Sequence, residues 1–175
     1  MAAVSLSRRA LAGIVFVIAG AVLLLALILT LAGVPAASPW LTALGYAGIV
    51  VALAILAFGA VNSTLTKVFL IIAAVGWLIL ALSKVGVDMP ALLITIAALM
   101  AGVGGLIAAI VLYVGKEVKN TPALVFIVTM VLALLLLLPL VGVSALQGTL
   151  VTVIAALFAI GLVISGVLFR QKERR

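Results

Sequence analysis

Apolar residues run through this chain in six long blocks separated by short polar joints. The blocks cover residues 10–33, 40–61, 67–83, 90–114, 122–140 and 145–169. A bilayer core needs about 20 apolar helical residues at roughly 1.5 Å rise each. All six blocks reach or approach that length, and the third is the shortest. None alternates polar and apolar positions with period two, which excludes a β-barrel. The pattern predicts an all-α polytopic membrane protein, a single domain of six transmembrane helices.

A longer period overlies the blocks. Three turns read LILTLAGV (27–34), LILALSKVGV (78–87) and LLLLLPLVGV (134–143), each closing on Gly-Val at Gly33, Gly86 and Gly142. The glycines are 53 and 56 residues apart, about one helical hairpin each. The second helices match in part, IAALMAGVGGL (96–106) against IAALFAIGL (154–162), and GKE (115–117) falls in register with QKE (171–173). Duplication of a two-span unit is the expectation. Three tandem hairpins, 10–61, 67–114 and 122–169, would share one orientation around a pseudo-threefold axis along the membrane normal. Residues 170–175 would form a basic tail.

The joints begin helices in a consistent way. Ser38-Pro39 and Thr121-Pro122 place a capping hydroxyl before a proline. Ser144 with Gln147 has capping-box spacing. Asp88 precedes Met89-Pro90 and falls over Ser144 in the repeat register. Ser38, Asp88, Thr121 and Ser144 are therefore expected as N-caps, and Asp88 as a cap instead of an acid site. In the fourth block Ala97, Ala101, Gly105 and Ala109 recur every four residues along one face, with Ala98 and Gly102 beside them. Such a stripe lets backbones approach closely, so this helix is expected to be central and to pack against two or more neighbours.

Composition sharpens the class. Hydrophobic residues make up 69% of 175 and charged residues 7%, far from the roughly half and quarter of soluble domains. With no cysteine and no histidine, thiol nucleophiles, thiolate metal sites and imidazole ligation are excluded. The net charge of +7 is not a nucleic-acid signal, because it sits in the joints without stacking aromatics. Nine of the ten basic residues fall on one face of a six-span layout and only Lys84 on the other. The positive-inside bias then places both termini in the cytoplasm of a cell inner membrane. Arg8, Arg9, Lys116, Lys119, Arg170, Lys172, Arg174 and Arg175 would fix topology or meet lipid headgroups. Trp40, Tyr113 and Phe169 fall at the expected interfaces. The first block, about 23 residues, exceeds a signal-peptide core and reads as a retained helix.

Little chemistry remains. No ionisable residue lies mid-span, which argues against a proton- or sodium-coupled transporter. Thr30, Tyr46, Thr95, Thr129, Thr152 and Ser165 read as local hydrogen-bonding groups, and Pro139 as a helix end. No nucleophile–base pair, paired acids or metal motif is present, so neither an enzyme nor a cofactor is expected. The layout resembles the HdeD-type membrane proteins, on IAGAVLLLALILTLAGVPAAS (18–38) and IAALFAIGLVISGVLF (154–169). That resemblance implies a short six-helix protein of three similar hairpins linked to acid resistance, with no catalytic residue. Two functions stay open. One is a packing or accessory protein whose partners are the bilayer, other membrane proteins or itself. The other is a small passive pore along the threefold axis.

Overall fold

A computed structural model describes residues 7–34, 38–143 and 148–171. It contains six α-helices: α1 Arg8–Leu31, α2 Ser38–Gly59, α3 Thr64–Lys84, α4 Ala91–Val114, α5 Asn120–Leu137 and α6 Thr149–Arg170. All six are long and apolar enough to cross a membrane. α3 extends three residues further at its start than the apolar block suggested, because Thr64 and Thr66 are polar residues inside a helix. α5 ends at Leu137 and passes into a 3-10 turn, Leu138–Val141, where Pro139 removes a helical donor.

The chain ends of the helices explain the Gly-Val repeat. Gly33, Gly86 and Gly142 have φ of 78°, 87° and 90°, a left-handed conformation that side chains with a Cβ resist. The following valine N–H then reaches back to a carbonyl of the last turn: Val34 to Leu29 at 2.9 Å, Val87 to Leu82 at 3.3 Å and Val143 to Leu138 at 3.2 Å. These are Schellman caps, which satisfy carbonyls that a helix end leaves open. A local capping need therefore accounts for the recurrence by itself.

α4 ends in the same way without glycine at the key position. Glu117 N–H reaches Leu112 at 3.2 Å and Lys116 N–H reaches Tyr113 at 3.2 Å. Lys116 carries the positive φ, 51°. A non-glycine residue there costs about 1–2 kcal/mol, partly offset by glycine's greater unfolded-state freedom. Lys116→Gly is expected to stabilise the protein by about 0.5–1 kcal/mol in detergent denaturation, whereas Gly86→Ala should destabilise it by a similar amount.

The six helices form a closed ring. Each packs on its neighbours in sequence, and α1 packs on α6. Three consecutive hairpins thus follow one another around the ring. α4 packs against two neighbours, α3 and α5, as expected, but so does every other helix, so the expectation that it is central is corrected. Its small-residue stripe is nonetheless fully packed, with Ala97, Ala101 and Ala109 buried at 0% exposure. A methyl group at Gly76 of α3 would lie 2.5 Å from Ala101 N, and one at Gly105 of α4 would lie 2.7 Å from Met130 Sδ of α5. Backbones meet most closely where the ring closes. A methyl at Gly13 of α1 would collide with the Gly166 carbonyl oxygen of α6, and the reverse holds for Gly166 and Gly13.

The outer surface of the ring is apolar along its length. Leu11, Ile18 and Leu25 of α1, Leu44, Val51 and Phe58 of α2 and Val153, Leu157 and Ile164 of α6 are among many exposed large side chains. A surface this apolar is compatible with lipid and not with water.

Candidate functional site

The end of the ring that carries the start of α1 and the end of α6 is basic and cross-linked by hydrogen bonds. Arg8, Arg9, Lys67, Lys116, Lys119 and Arg170 lie there, against Lys84 alone at the far end among the described residues. The two arginines at the start of α1 cap the end of α2. Arg9 donates through Nε and a terminal nitrogen to the Ala60 carbonyl at 3.2 and 3.0 Å, and Arg8 donates to the Phe58 carbonyl at 3.3 Å. Cations suit the negative end of a helix, and these donors fill carbonyls that α2 leaves open. Glu117 ties the next pair of joints. Its carboxylate accepts from the Asn62 N–H at 2.9 Å and from the buried Thr66 hydroxyl at 3.0 Å. These contacts reach across 51 and 55 residues and leave no local signature in the sequence.

The expected caps fare unevenly. α4 starts on Pro90, which accepts from Leu93 and Ile94 N–H groups, so Asp88 lies two residues outside the cap and is exposed. α5 starts on Lys119, which places Thr121 inside the first turn. α6 starts on Gly148; Ser144 and Gln147 lie outside the described residues, as do Lys172, Arg174 and Arg175. Ser38 is the first residue of α2, and its hydroxyl lies 2.7 Å from Thr30 Oγ1. In α2 and α5 the proline lies in the first turn without forcing the residue just before it to be the cap, and in α4 the proline is itself the cap. Side-chain caps occur instead at Ser7, which accepts from Ala10 N–H at 3.2 Å, and Ser63, which accepts from Thr66 N–H at 3.3 Å. With its cap role gone, Asp88→Ala is expected to change stability by less than about 0.5 kcal/mol in thermal unfolding.

Inside the ring two aromatic layers stand one above the other. At the basic end Phe16, Phe126 and Phe169 meet with ring centroids 5.7 to 6.2 Å apart. Phe169 is therefore a core residue at 6% exposure and not the interfacial aromatic expected; Trp40, 63% exposed, and Tyr113 do face outward. Toward the far end Trp77 of α3 stacks on Phe158 of α6 at 5.6 Å and 6°, and meets Tyr46 of α2 in a tilted contact at 4.8 Å and 56°. Phe158 and Phe169 are eleven residues apart on one helix, about 16 Å. Between the layers lie Ile49, Leu53, Leu56, Met130 and Leu162. The buried polar contact in that region is the Thr129–Ser165 hydroxyl pair at 3.1 Å, with Thr129 also donating to the Val125 carbonyl at 2.8 Å.

Two pockets lined by described residues flank this packed stretch. One, about 230 Å³, lies at the basic end among Arg9, Lys119, Thr121, Pro122, Phe169 and Gln171. The other, about 130 Å³, opens at the far end between α1, α2, α5 and α6. Its rim carries Thr30, Ser38 and Thr42, and Tyr46 and Phe158 line it more deeply. Tyr46 is 8% exposed, and its hydroxyl has no hydrogen-bond partner among the described residues. Trp77 Nε1, beneath it, is buried and also has none.

No family model matches the chain, and no curated protein or solved structure matches it either. The fold and its interior thus define the chain: an all-α protein of six membrane-spanning-length helices closed into a ring over an aromatic core.

Proposed function

We propose that this chain is a non-enzymatic, non-conducting integral membrane protein that acts through helix packing. In this reading it is a structural, accessory or stress-related factor of the HdeD kind, and its partners are other membrane proteins or further copies of itself. The observation that carries the reading is the packed interior. About 16 Å of aromatic and aliphatic side chains separates the two pockets, with one hydroxyl pair that is already mutually satisfied. A solute or ion crossing it would be stripped of water with no polar groups in exchange. The lateral surface, by contrast, is wide, apolar and free to meet other helices.

The placement of the pockets favours a second reading, a small permease whose two vestibules connect when the aromatic layers part. Reconstituted vesicles separate the two. Glycerol and potassium efflux from vesicles holding purified protein is expected to match that from protein-free vesicles, and saturable efflux overturns the packing reading. The basic end is proposed to face the cytoplasm of the inner membrane. Because the chain has no cysteine, a single cysteine at Val87 should label from outside intact cells, and one at Asn62 should not.

A further inference from the structure

We propose that the far-end pocket is a binding site for a small neutral molecule bearing one hydroxyl or carbonyl group on a flat apolar ring. This goes beyond the packing role and does not depend on whether the protein conducts.

The argument starts from two donors without partners. Buried tyrosine hydroxyls and indole N–H groups almost always find hydrogen bonds, because leaving one unpaired forfeits its hydration. Here Tyr46 and Trp77 are in ring contact at 4.8 Å and both residues are buried; Trp77 Nε1 is a sealed atom without a partner, whereas the Tyr46 hydroxyl, which no described residue hydrogen-bonds, belongs to a residue on the pocket lining. Trp77 Nε1 is sealed in, but Tyr46 lines the pocket. The Tyr46 hydroxyl, on the lining of the cavity, marks the place where a polar atom of a ligand belongs.

The walls define the rest of the ligand. Leu23, Ala26, Leu27, Leu136 and Ala155 are apolar, and Phe158 is aromatic. Among the described residues no charged side chain lines the cavity, so a charged ligand would be desolvated without compensation. The volume, about 130 Å³, is close to that of an apolar cavity known to take one benzene ring, about 150 Å³. At the mouth the hydroxyls are already engaged: Thr42 donates to the Ser38 carbonyl at 2.8 Å, and Thr30 donates to the Ala26 carbonyl at 2.9 Å while lying 2.7 Å from Ser38 Oγ. They make a polar collar through which a neutral amphiphile can pass, while Tyr46 remains the group with hydrogen-bonding capacity to spare.

Tryptophan emission reads the site directly. The chain has two tryptophans, and Trp40→Phe leaves Trp77 as the sole reporter against the pocket floor. In that background 4-bromophenol, whose bromine quenches indole at short range, here across the Tyr46 and Phe158 rings that line the pocket, is expected to quench saturably. Its anionic counterpart 4-bromobenzoate should show only a weak linear effect. Tyr46→Phe keeps the ring and removes the hydroxyl, and should weaken 4-bromophenol roughly fivefold. Ala155→Leu should fill the cavity and abolish the saturable phase. Linear quenching by both probes would mean partition into detergent and would overturn the site. Saturable quenching that ignores both Tyr46→Phe and Ala155→Leu would place binding elsewhere and overturn it equally.

Discussion

Gly166→Leu is expected to destabilise the protein by about 3 kcal/mol or more, at the upper end of overpacking effects. Gly13→Leu should behave the same way. The reason is what each new side chain would strike. At Gly166 a methyl already collides with the Gly13 carbonyl oxygen and lies 2.8 Å from both Val17 N and Val17 Cγ2; at Gly13 it collides with the Gly166 carbonyl and sits 3.2 Å from Arg170 N. Both obstacles are backbone, held by their own helices, and neither can rotate away. Gly105 offers the contrast, since its first obstacle is Met130 Sδ, near the end of a flexible side chain. Gly105→Ala should therefore cost under about 1 kcal/mol. The difference has a topological consequence. α1 and α6 are the first and last helices, and no turn joins them, so packing alone closes the ring. Denaturation of each variant by sodium dodecyl sulfate in maltoside micelles, followed by circular dichroism, gives the comparison. If Gly166→Leu and Gly105→Ala lose equal stability, the seam is not the tight contact described.

That seam shows where sequence reading succeeds and where it stops. The six helices are legible because each must hold its backbone hydrogen bonds internally within lipid, and such segments are long apolar runs. Their ends fall within a few residues of the apolar blocks, and the Gly-Val turns mark three of them through a backbone angle that glycine alone adopts easily. The α4 stripe was also readable, since a four-residue spacing of small side chains has a direct geometric meaning. Which faces turn inward was not. In a soluble helix the polar face announces the exterior, but here the exterior is as apolar as the core. Phe158 and Leu157, adjacent in sequence, are 1% and 47% exposed. Nothing in their chemistry separates them. Gly13 with Gly20, and Ala159 with Gly166, repeat at seven residues on facing helices, a signal present in the sequence. Pairing them requires knowing that the chain's two ends meet.

The polar contacts fail for a related reason. Asp88 and Thr121 were placed as caps from neighbouring prolines, a local rule. The bonds that matter at the basic end are long-range: Arg9 to Ala60, Glu117 to Asn62 and Thr66. Long flexible side chains reach across joints that only the ring brings together. Arg8 and Arg9, expected to fix topology or meet lipid headgroups, thus also fasten α1 to α2.

Trp77→Ala is expected to lose about 2–3 kcal/mol, less than the 3–5 kcal/mol typical of tryptophan or phenylalanine truncation in soluble cores. Two terms decide that reduction. In a micelle the unfolded helices stay in an apolar medium, so no transfer from water is lost. What remains is dispersion with the stacked Phe158 and Tyr46 rings and the cavity left between α3 and α6. A small gain offsets part of this, because the unpartnered Nε1 leaves with the side chain. Trp77→Phe separates the terms: it keeps one ring in the stack and removes the same donor, so it should lose under about 1 kcal/mol. A lipid-facing truncation, Leu25→Ala, should change nothing measurable, since Leu25 is 47% exposed on the outer face. If Trp77→Ala is as mild as Leu25→Ala under detergent denaturation, the aromatic layer does not hold the far half of the ring together. The packed barrier between the two pockets would then have to rest on the Phe16, Phe126 and Phe169 cluster at the basic end.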